Sequence, residues 1–265
     1  MPGKERLGMS DVPVVEMIGM SKHFGGVIAL DKVDFAVYPN EVVAIAGDNG
    51  AGKTTLIKIL SGVFTPDEGK IFFEGRKVSI GNPMDARNMG IETIYQDLAL
   101  ADNMDIPTNV FLGRELMKPL FAGFLKFFDK KKMILESRRL LDSMRISIGS
   151  FGVPVQFLSG GQRQIVAIAR SIYFKTKVLI MDEPTAALGV EETDTVLGLI
   201  RNLKEGGISI VLICHNLTHV FTVSDRIVVL KTGRKISERP AEGTDPDEIA
   251  KIIITGRDEK TTPNA

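Results

Sequence analysis

The fold of this chain is decided by one stretch of its sequence, Gly47-Asp48-Asn49-Gly50-Ala51-Gly52-Lys53-Thr54, which is followed by Thr55. The stretch fits the pattern G-x-x-x-x-G-K-[ST] and comes directly after the apolar run 42–46, which predicts a buried strand. A strand that leads into a glycine-rich turn and a helix is typical of phosphate binding, because the backbone N–H groups and the positive end of the helix dipole attract anions. Residues 47–55 are therefore candidates for nucleotide binding in an α/β fold.

Individual residues of this loop have different expected tasks. We expect the Lys53 ammonium to reach the β- and γ-phosphates and the Thr54 hydroxyl to bind Mg²⁺. Gly47, Gly50 and Gly52 would adopt positive φ angles and let the backbone approach the phosphates closely, which a side chain would prevent. The alternative interpretation, a flexible glycine turn, is disfavoured because strand, loop and helix signals occur together here.

Two adjacent acids, Asp182 and Glu183, follow a second apolar run at 178–181. In open α/β sheets nucleotides bind at the carboxyl ends of the strands, where these acids are predicted to lie. Successive side chains of a strand point to opposite sides, so the two acids can have different tasks. We expect Asp182 to hold Mg²⁺ and Glu183 to act as the general base that polarises an attacking water. The alternative is an acidic strand end that faces solvent.

A third motif, Leu158-Ser159-Gly160-Gly161-Gln162, opens an amphipathic segment. Ser159 is a typical helix N-cap residue, and apolar residues recur at helical spacing after it. By itself the motif indicates no more than an ordinary capped helix, but it precedes the two acids by a single predicted helix. The order of the three motifs is therefore more informative than any one of them.

In this order and spacing, the motifs resemble those of the ATPase subunit of ABC transporters, in which residues 158–162 match the signature motif. The resemblance extends from about residue 14 to about residue 256. It implies an ABC-type P-loop NTPase fold of the α/β class, with a RecA-like parallel-sheet core, an N-terminal antiparallel β part and a helical insertion. It also implies one domain over residues 1–265, with a catalytic core at 14–96 and 158–256 and a helical subdomain at 97–157.

The resemblance adds three site residues outside these motifs. Gln96 matches the Q-loop glutamine, with expected roles in catalysis and Mg²⁺ binding, and His215 matches the switch histidine that contacts the γ-phosphate. Phe24 lies where the family has an aromatic ring that stacks on adenine, although an aromatic residue before two glycines also fits a core position. The implied cofactors are ATP and Mg²⁺, and the implied signature contacts to ATP are Ser159, Gly160, Gly161 and Gln162.

The implied mechanism needs two copies of the chain. The phosphate loop of one subunit and the signature of the other would enclose one ATP, so that ATP closes a homodimer and hydrolysis reopens it. Membrane permease subunits, and through them a sugar-binding protein, would be the partners. One residue departs from the family pattern: Gly189 stands where most members have Asp, which puts coupling between the two sites in doubt and leaves Glu191 or Glu192 as substitutes.

Four stretches look like the ATPases of bacterial monosaccharide importers of the ribose, xylose and fructose type. They are residues 47–53, 90–96, 109–115 and 186–190. The predicted function is therefore ATP hydrolysis that energises monosaccharide uptake. The alternatives are an importer ATPase for amino acids or other small solutes, a soluble ABC protein that acts on DNA or ribosomes, and a subunit that does not hydrolyse ATP. The segment between Lys53 and Ser159 lacks the sustained heptads that DNA-repair members need.

Composition agrees with this prediction. The chain has 265 residues, of which 44% are hydrophobic, and this is enough for one packed α/β domain. Its 33 basic and 33 acidic residues balance, which disfavours nucleic acid as a partner. The one cysteine, Cys214, excludes an internal disulfide, and no apolar run is long enough to span a bilayer. We expect a cytoplasmic protein that lies peripherally on the inner face of the cell membrane.

The segment between the two halves of the core has an unusual composition. Phe121, Phe124, Phe127 and Phe128 lie among several lysines, in a segment that is predicted to be helical from 97 to 157. We favour packing of these rings inside the helical insertion. The alternatives are contact with a membrane surface and contact with a permease along residues 97–125.

Overall fold

The structure, a computed structural model, describes residues 12–120, 125–149, 151–258 and 260. Its strands are β1 (Val15–Phe24), β2 (Val27–Val37), β3 (Val42–Ala46), β4 (Glu68–Phe73), β5 (Arg76–Val78), β6 (Ile91–Ile94), β7 (Met117–Leu120), β8 (Leu125–Phe128), β9 (Val178–Asp182), β10 (Ser209–Ile213), β11 (Arg226–Lys231) and β12 (Arg234–Pro240). Its helices are α1 (Lys53–Leu60), α2 (Pro83–Asn88), α3 (Ile106–Val110), α4 (Lys130–Ser143), α5 (Gly160–Ile172), α6 (Val190–Glu205), α7 (Leu217–Val223) and α8 (Pro246–Thr255). None of these described helices is long and apolar enough to cross a membrane.

A six-stranded sheet in the order β12-β11-β3-β10-β9-β6 forms the core. Five neighbouring strands, β11, β3, β10, β9 and β6, run parallel, while β12 pairs antiparallel with β11. A second, four-stranded antiparallel sheet has the order β2-β1-β4-β5. The predicted parallel core and N-terminal antiparallel part are confirmed. The carboxyl ends of β3, β9, β10 and β6 meet at one edge of the core sheet. Asp182 ends β9, and the phosphate loop, Glu183, His215 and Gln96 follow these strands.

Alternate residues of the core strands pack on opposite faces of the six-stranded sheet. In β3, Val43 and Ile45 belong to the hydrophobic cluster that includes α1 and the antiparallel sheet, whereas Val42 and Ala44 belong to the cluster that includes α5, α6 and α8. Strands that are covered on both faces need continuous apolar runs, which is why β3 and β9 show no alternation with polar residues. Their burial fixes the position of the loops that follow them.

A buried arginine of the core sheet, held by an ion pair, also bonds to the antiparallel sheet. Glu41, just before β3, and Arg226, the first residue of β11, are 0% and 7% exposed. Arg226 Nε and Nη2 donate to the two carboxylate oxygens of Glu41 at 2.6 and 2.9 Å, and Nη2 also donates to the Ala36 carbonyl in β2 at 2.7 Å. Burial opposes the charge, but the carboxylates of Glu41 and Glu238 raise the pKa of Arg226. The charged guanidinium therefore holds β2 against the core strands.

The prediction of an entirely helical insertion is wrong in one part. Between α3 and α4, strands β7 and β8 pair as an antiparallel hairpin in which Met117 lies opposite Phe128. Pro119 cannot occupy a helix interior, and the aromatic residues that follow favour a strand, which accounts for the difference. The segments on either side are helical as predicted, with α3, α4 and a 3-10 turn at Val155–Phe157.

The hairpin also corrects the favoured interpretation of the phenylalanines. Phe127 and Phe128 are 49% and 62% exposed, so these two rings do not pack inside the insertion. Phe121 and Phe124 lie outside the described residues. The apolar interior of the insertion comes instead from other residues, among them Met133 and Leu141 of α4.

Candidate active site

A cleft of about 290 Å³ lies at the carboxyl edge of the core sheet. Its lining includes the predicted site residues Asn49, Gly50, Ala51, Gly52, Lys53, Thr54, Thr55, Asp182, Glu183 and His215. Sequence reasoning missed Val27, Ile28, Ala29 and Ile213, which complete the wall. The available signal for the first three was an apolar run directly after a pair of glycines. The predicted residues Gly47 and Asp48 line an adjoining cavity of about 310 Å³, which shares Asn49 and His215.

Gly47 and Gly52 give the phosphate loop its shape. Their φ angles are 147° and 103°, and the φ angle of Gly50 is 78°, so the predicted positive values are confirmed. A Cβ on Gly47 would lie 2.2 Å from the Leu230 carbonyl oxygen, and one on Gly52 would lie 2.7 Å from the Ala29 carbonyl oxygen. Gly50 faces open space instead. The close approach of other backbone atoms therefore requires glycine at positions 47 and 52.

Lys53 begins α1 and is buried under the loop. Its Nζ donates to the carbonyl oxygens of Gly47 at 2.7 Å and Asp48 at 3.0 Å. Burial lowers the pKa of Lys53, and the nearby carboxylates of Glu183 and Asp182 partly offset that effect. The ammonium thus contacts two backbone carbonyl oxygens of the loop.

Asp182 and Glu183 differ in backbone conformation. Asp182 ends β9 and pairs in register with Ile213 of β10, whereas Glu183 lies beyond the strand with φ 53°. The expectation that both acids occupy successive strand positions is therefore wrong. The chain turns after the last ladder pair, and the Glu183 N–H donates to the Ile213 carbonyl at 2.9 Å. A left-handed conformation is uncommon for a residue with a Cβ and is often found at functional sites.

The Glu183 carboxylate contacts the half-exposed imidazole of His215. Glu183 Oε1 and His215 Nε2 are 2.6 Å apart, and both residues line the cleft. The two residues were predicted from separate motifs, and the sequence contains no local signal for their contact. Strands β9 and β10 are parallel neighbours, so their carboxyl ends lie side by side. Each of the two residues comes shortly after the end of its strand, which brings the side chains together. The contact orients an acid and an imidazole toward the same space.

Asp182 and Thr54, two of the expected Mg²⁺ ligands, line the cleft, whereas the third, Gln96, is not among its lining residues. Burial and the neighbouring Glu183 raise the pKa of Asp182, so a cation here would relieve the cost of its charge. Thr54 lines the same cleft, and Gln96 follows β6, whose Ile94 pairs with Met181 of β9. Hydroxyl, amide and carboxylate oxygens are ligands that Mg²⁺ accepts. Within the described ranges, no group of three or more His, Cys, Asp or Glu could hold a metal, so phosphate and water oxygens would have to complete the set.

Phe24 lies at the end of β1 and is 43% exposed, so it is not a core residue. Its ring meets the Phe64 ring edge to face, with 5.1 Å between the centroids. Val27 and Ile28, which line the phosphate cleft, begin the next strand and are also exposed. These side chains form an apolar surface beside the phosphate loop.

The signature motif opens α5, as predicted, with Ser159 as its N-cap. The Gln162 N–H donates to Ser159 Oγ at 3.3 Å, and the Ser159 N–H donates to Gln162 Oε1 at 3.1 Å, which is a capping box. Neither these two residues nor Gly160 and Gly161 line the cleft around Lys53. One chain alone therefore does not bring the signature to its own phosphate loop.

The sequence and the fold of this chain are similar to those of known proteins. A family model described as ABC transporter matches residues 30–186. The chain is 49% identical to the xylose/arabinose import ATP-binding protein XylG of Sulfolobus acidocaldarius, over 93% of this chain and 95% of that protein. It is 46% identical to the fructose import ATP-binding protein FrcA of Rhizobium meliloti, over 95% and 97%. Its fold is similar to the ADP conformation of MJ1267, an ATP-binding cassette of an ABC transporter, with a TM-score of 0.77, 26% identity and coverage of 92% and 95%. The chain belongs to the ABC transporter family.

Proposed function

We propose that this chain is the ATP-binding and ATP-hydrolysing subunit of an importer that takes up a monosaccharide through membrane permease subunits. The observation that carries the ATPase assignment is the contact between Glu183 and His215 in the cleft that also contains Lys53. The identities of 49% and 46% to import proteins for xylose/arabinose and fructose support the class of solute.

The proposed mechanism assigns three tasks to residues of this chain: holding the phosphates, activating water and holding Mg²⁺. Lys53, the loop N–H groups and the positive end of α1 hold the β- and γ-phosphates. Glu183 accepts a proton from the water that attacks the γ-phosphate in line, and His215 holds that carboxylate in place and contacts the γ-phosphate. Mg²⁺, held by Thr54, Gln96 and Asp182, would neutralise charge on the phosphates.

We expect Phe24→Ala to weaken ATP binding about two- to tenfold, because adenine would lose its stacking partner on the exposed ring. Titration calorimetry with ATP measures the change. Inorganic triphosphate, which has no base, should bind the variant and the wild type equally well. Phe128→Ala, an exposed ring on the hairpin, is the matched control. Equal weakening for ATP and triphosphate would contradict the stacking role.

The second half of each ATP site comes from a second copy of the chain. Ser159 and Gly160 are exposed at the start of α5 and lie outside the cleft of their own chain. The N-terminus of a helix attracts phosphate through its free N–H groups and its dipole. An ATP-dependent homodimer would therefore place the signature of one copy on the γ-phosphate bound by the other.

A basic groove beside the insertion is the proposed contact with the permease. Arg87, Arg114 and Arg170 surround the buried Glu92 in a cavity of about 240 Å³. Arg114 Nη2 and Arg87 Nε lie 2.6 and 3.6 Å from the Glu92 carboxylate, while Arg170 donates to backbone carbonyls. The groove therefore has three guanidinium groups and one carboxylate. The groove is lined by residues from both proposed parts of the domain, the core at 14–96 and 158–256 and the subdomain at 97–157. An acidic cytoplasmic segment of a permease on the inner face of the membrane would fit this charge.

The test of the transport function is solute uptake in cells. When the gene is replaced by the Glu183→Gln variant, we expect radiolabelled monosaccharide uptake to be lost and amino acid uptake to be unchanged. The tagged chain should copurify with a permease after detergent extraction. Lost amino acid uptake with normal sugar uptake would favour the alternative importer. Unchanged uptake of both, with no permease recovered, would favour a non-transport ABC protein.

A further inference from the structure

Glu192 contacts the start of α6, where Gly189 is the N-cap residue and brings no side chain. Gly189 is the N-cap of α6, at the position where an aspartate was expected from the resemblance. Its N–H donates to Glu192 Oε2 at 3.3 Å, so the carboxylate folds back over the start of its own helix. The neighbouring Glu191 side chain is exposed to solvent. Of the two acids named as substitutes, Glu192 is therefore the one that contacts the N-cap of α6.

The Glu192 side chain also lies against the signature motif of the same chain. A Cβ on Gly161 would lie 2.9 Å from Glu192 Cβ and 3.0 Å from its Cγ, and a Cβ on Gly160 would lie 3.7 Å from Oε2. The glutamate therefore fits only because Gly161 has no side chain, whereas a Cβ on Gly160 would be at ordinary contact distance from it. Hydrogen bonds from the Ser159 hydroxyl and from the Gly161 N–H lower the pKa of Glu192. The signature thus faces an ionised carboxylate from its own chain.

The Ser159 hydroxyl has its proton free for that contact. Ser159 Oγ already accepts the Gln162 N–H as part of the capping box, and a hydroxyl that accepts one hydrogen bond can still donate another. Ser159 and Gly161 belong to the signature, which the proposed function places on the γ-phosphate that the second copy binds. Two anions cannot share the same donors, and their charges repel each other.

We propose that Glu192 is an internal competitor of the γ-phosphate, which holds the signature donors in the free chain and has to release them when the ATP-bound partner closes. This inference rests on the proposed function. Glu192 acts through Ser159 and Gly161 and does not touch the reacting atoms, so it is a positioning residue. The dimer would therefore close only when the γ-phosphate displaces the Glu192 carboxylate from the signature.

The first part of the test examines the free chain without nucleotide. Two variants, Glu192→Gln and the matched Glu191→Gln, are compared with the wild type by ¹H–¹⁵N NMR. We expect the Gly161 amide signal to shift and its hydrogen exchange to accelerate in Glu192→Gln, because the charged acceptor is lost. Glu191→Gln should leave this signal unchanged. An unchanged Gly161 signal in Glu192→Gln would overturn the contact and with it the proposal.

The second part measures ATP-driven dimerisation in a Glu183→Gln background, where hydrolysis does not deplete the nucleotide. Adding Glu192→Gln should tighten the ATP-bound dimer about tenfold in analytical ultracentrifugation, a typical size for coupling between sites. Adding Glu191→Gln should leave it unchanged. Glu192→Asp, which keeps the charge on a shorter side chain, should tighten the dimer less than Glu192→Gln. A gain in affinity cannot come from misfolding.

The outcomes separate this inference from the proposed function. If the Glu183→Gln parent dimerises with ATP and Glu192→Gln has no effect or weakens the dimer, the competition is overturned while the composite site stands. If the parent does not dimerise with ATP at any concentration, the composite site is overturned and the competition with it. A shifted Gly161 signal together with a tighter dimer supports both.

Discussion

Glu183→Gln is expected to bind ATP with unchanged affinity and to hydrolyse it about 10²- to 10⁴-fold more slowly than the wild type. The amide has nearly the same shape as the carboxylate. The contact with His215 Nε2, which is 2.6 Å from Oε1 in the wild type, can therefore be kept. The amide oxygen, however, cannot accept a proton from water as a carboxylate does. In the proposed mechanism binding depends on Lys53 and the loop N–H groups, which the substitution does not change.

Phosphate release from purified protein with Mg-ATP measures this effect, and size-exclusion chromatography reports the dimer. We expect the variant to accumulate as an ATP-bound dimer, because closure no longer leads to hydrolysis. Glu191→Gln, which neutralises an exposed acid a short distance along the chain, is the control and should hydrolyse ATP at the wild-type rate. Near-normal phosphate release from Glu183→Gln would contradict the assignment of the base.

Arg226→Met is expected to lower the free energy of unfolding by about 3–5 kcal/mol, the usual cost of leaving a buried charge without its partner. Methionine fills much of the space but donates no hydrogen bond. Glu41, which is 0% exposed, would lose two hydrogen bonds, at 2.6 and 2.9 Å. A domain is typically stable by about 5–15 kcal/mol, so the loss is a large part of the total.

Urea unfolding followed by circular dichroism measures this change, since the chain contains no tryptophan for fluorescence. Lys204→Met is the matched control. Lys204 Nζ lies 2.6 Å from Asp225 Oδ1, but their side chains are 32% and 29% exposed, and such pairs contribute about 1 kcal/mol or less. Equal destabilisation by the two substitutions would show that burial of the Arg226 pair has no special consequence.

Features with a local cause were predictable from the sequence. The phosphate loop has a spacing that only a tight turn before a helix explains, and positive φ angles at its glycines are confirmed. The N-cap at Ser159 follows from one hydroxyl before a helical pattern. The continuous apolar runs of β3 and β9 indicated strands covered on both faces, and the core sheet has that form.

Features that depend on contacts between distant residues were not predictable in the same way. The turn that moves Glu183 out of β9 depends on where the pairing with β10 ends, and a run of apolar residues does not mark that point. The hairpin β7-β8 was hidden because aromatic residues and lysines fit an amphipathic helix as well as a strand. The contact of Glu192 with Gly161 joins two helices whose sequences give no sign of each other.

The separation of the signature from the phosphate cleft of its own chain determines how the proposed dimer responds to mixed subunits. In an isologous pair related by a twofold axis, each copy supplies a different half to each of two equivalent sites. A copy damaged in its phosphate loop, paired with a copy damaged in its signature, would place both lesions in one site and leave the other intact. Two inactive proteins would then form an active one by complementation, with one working site per pair.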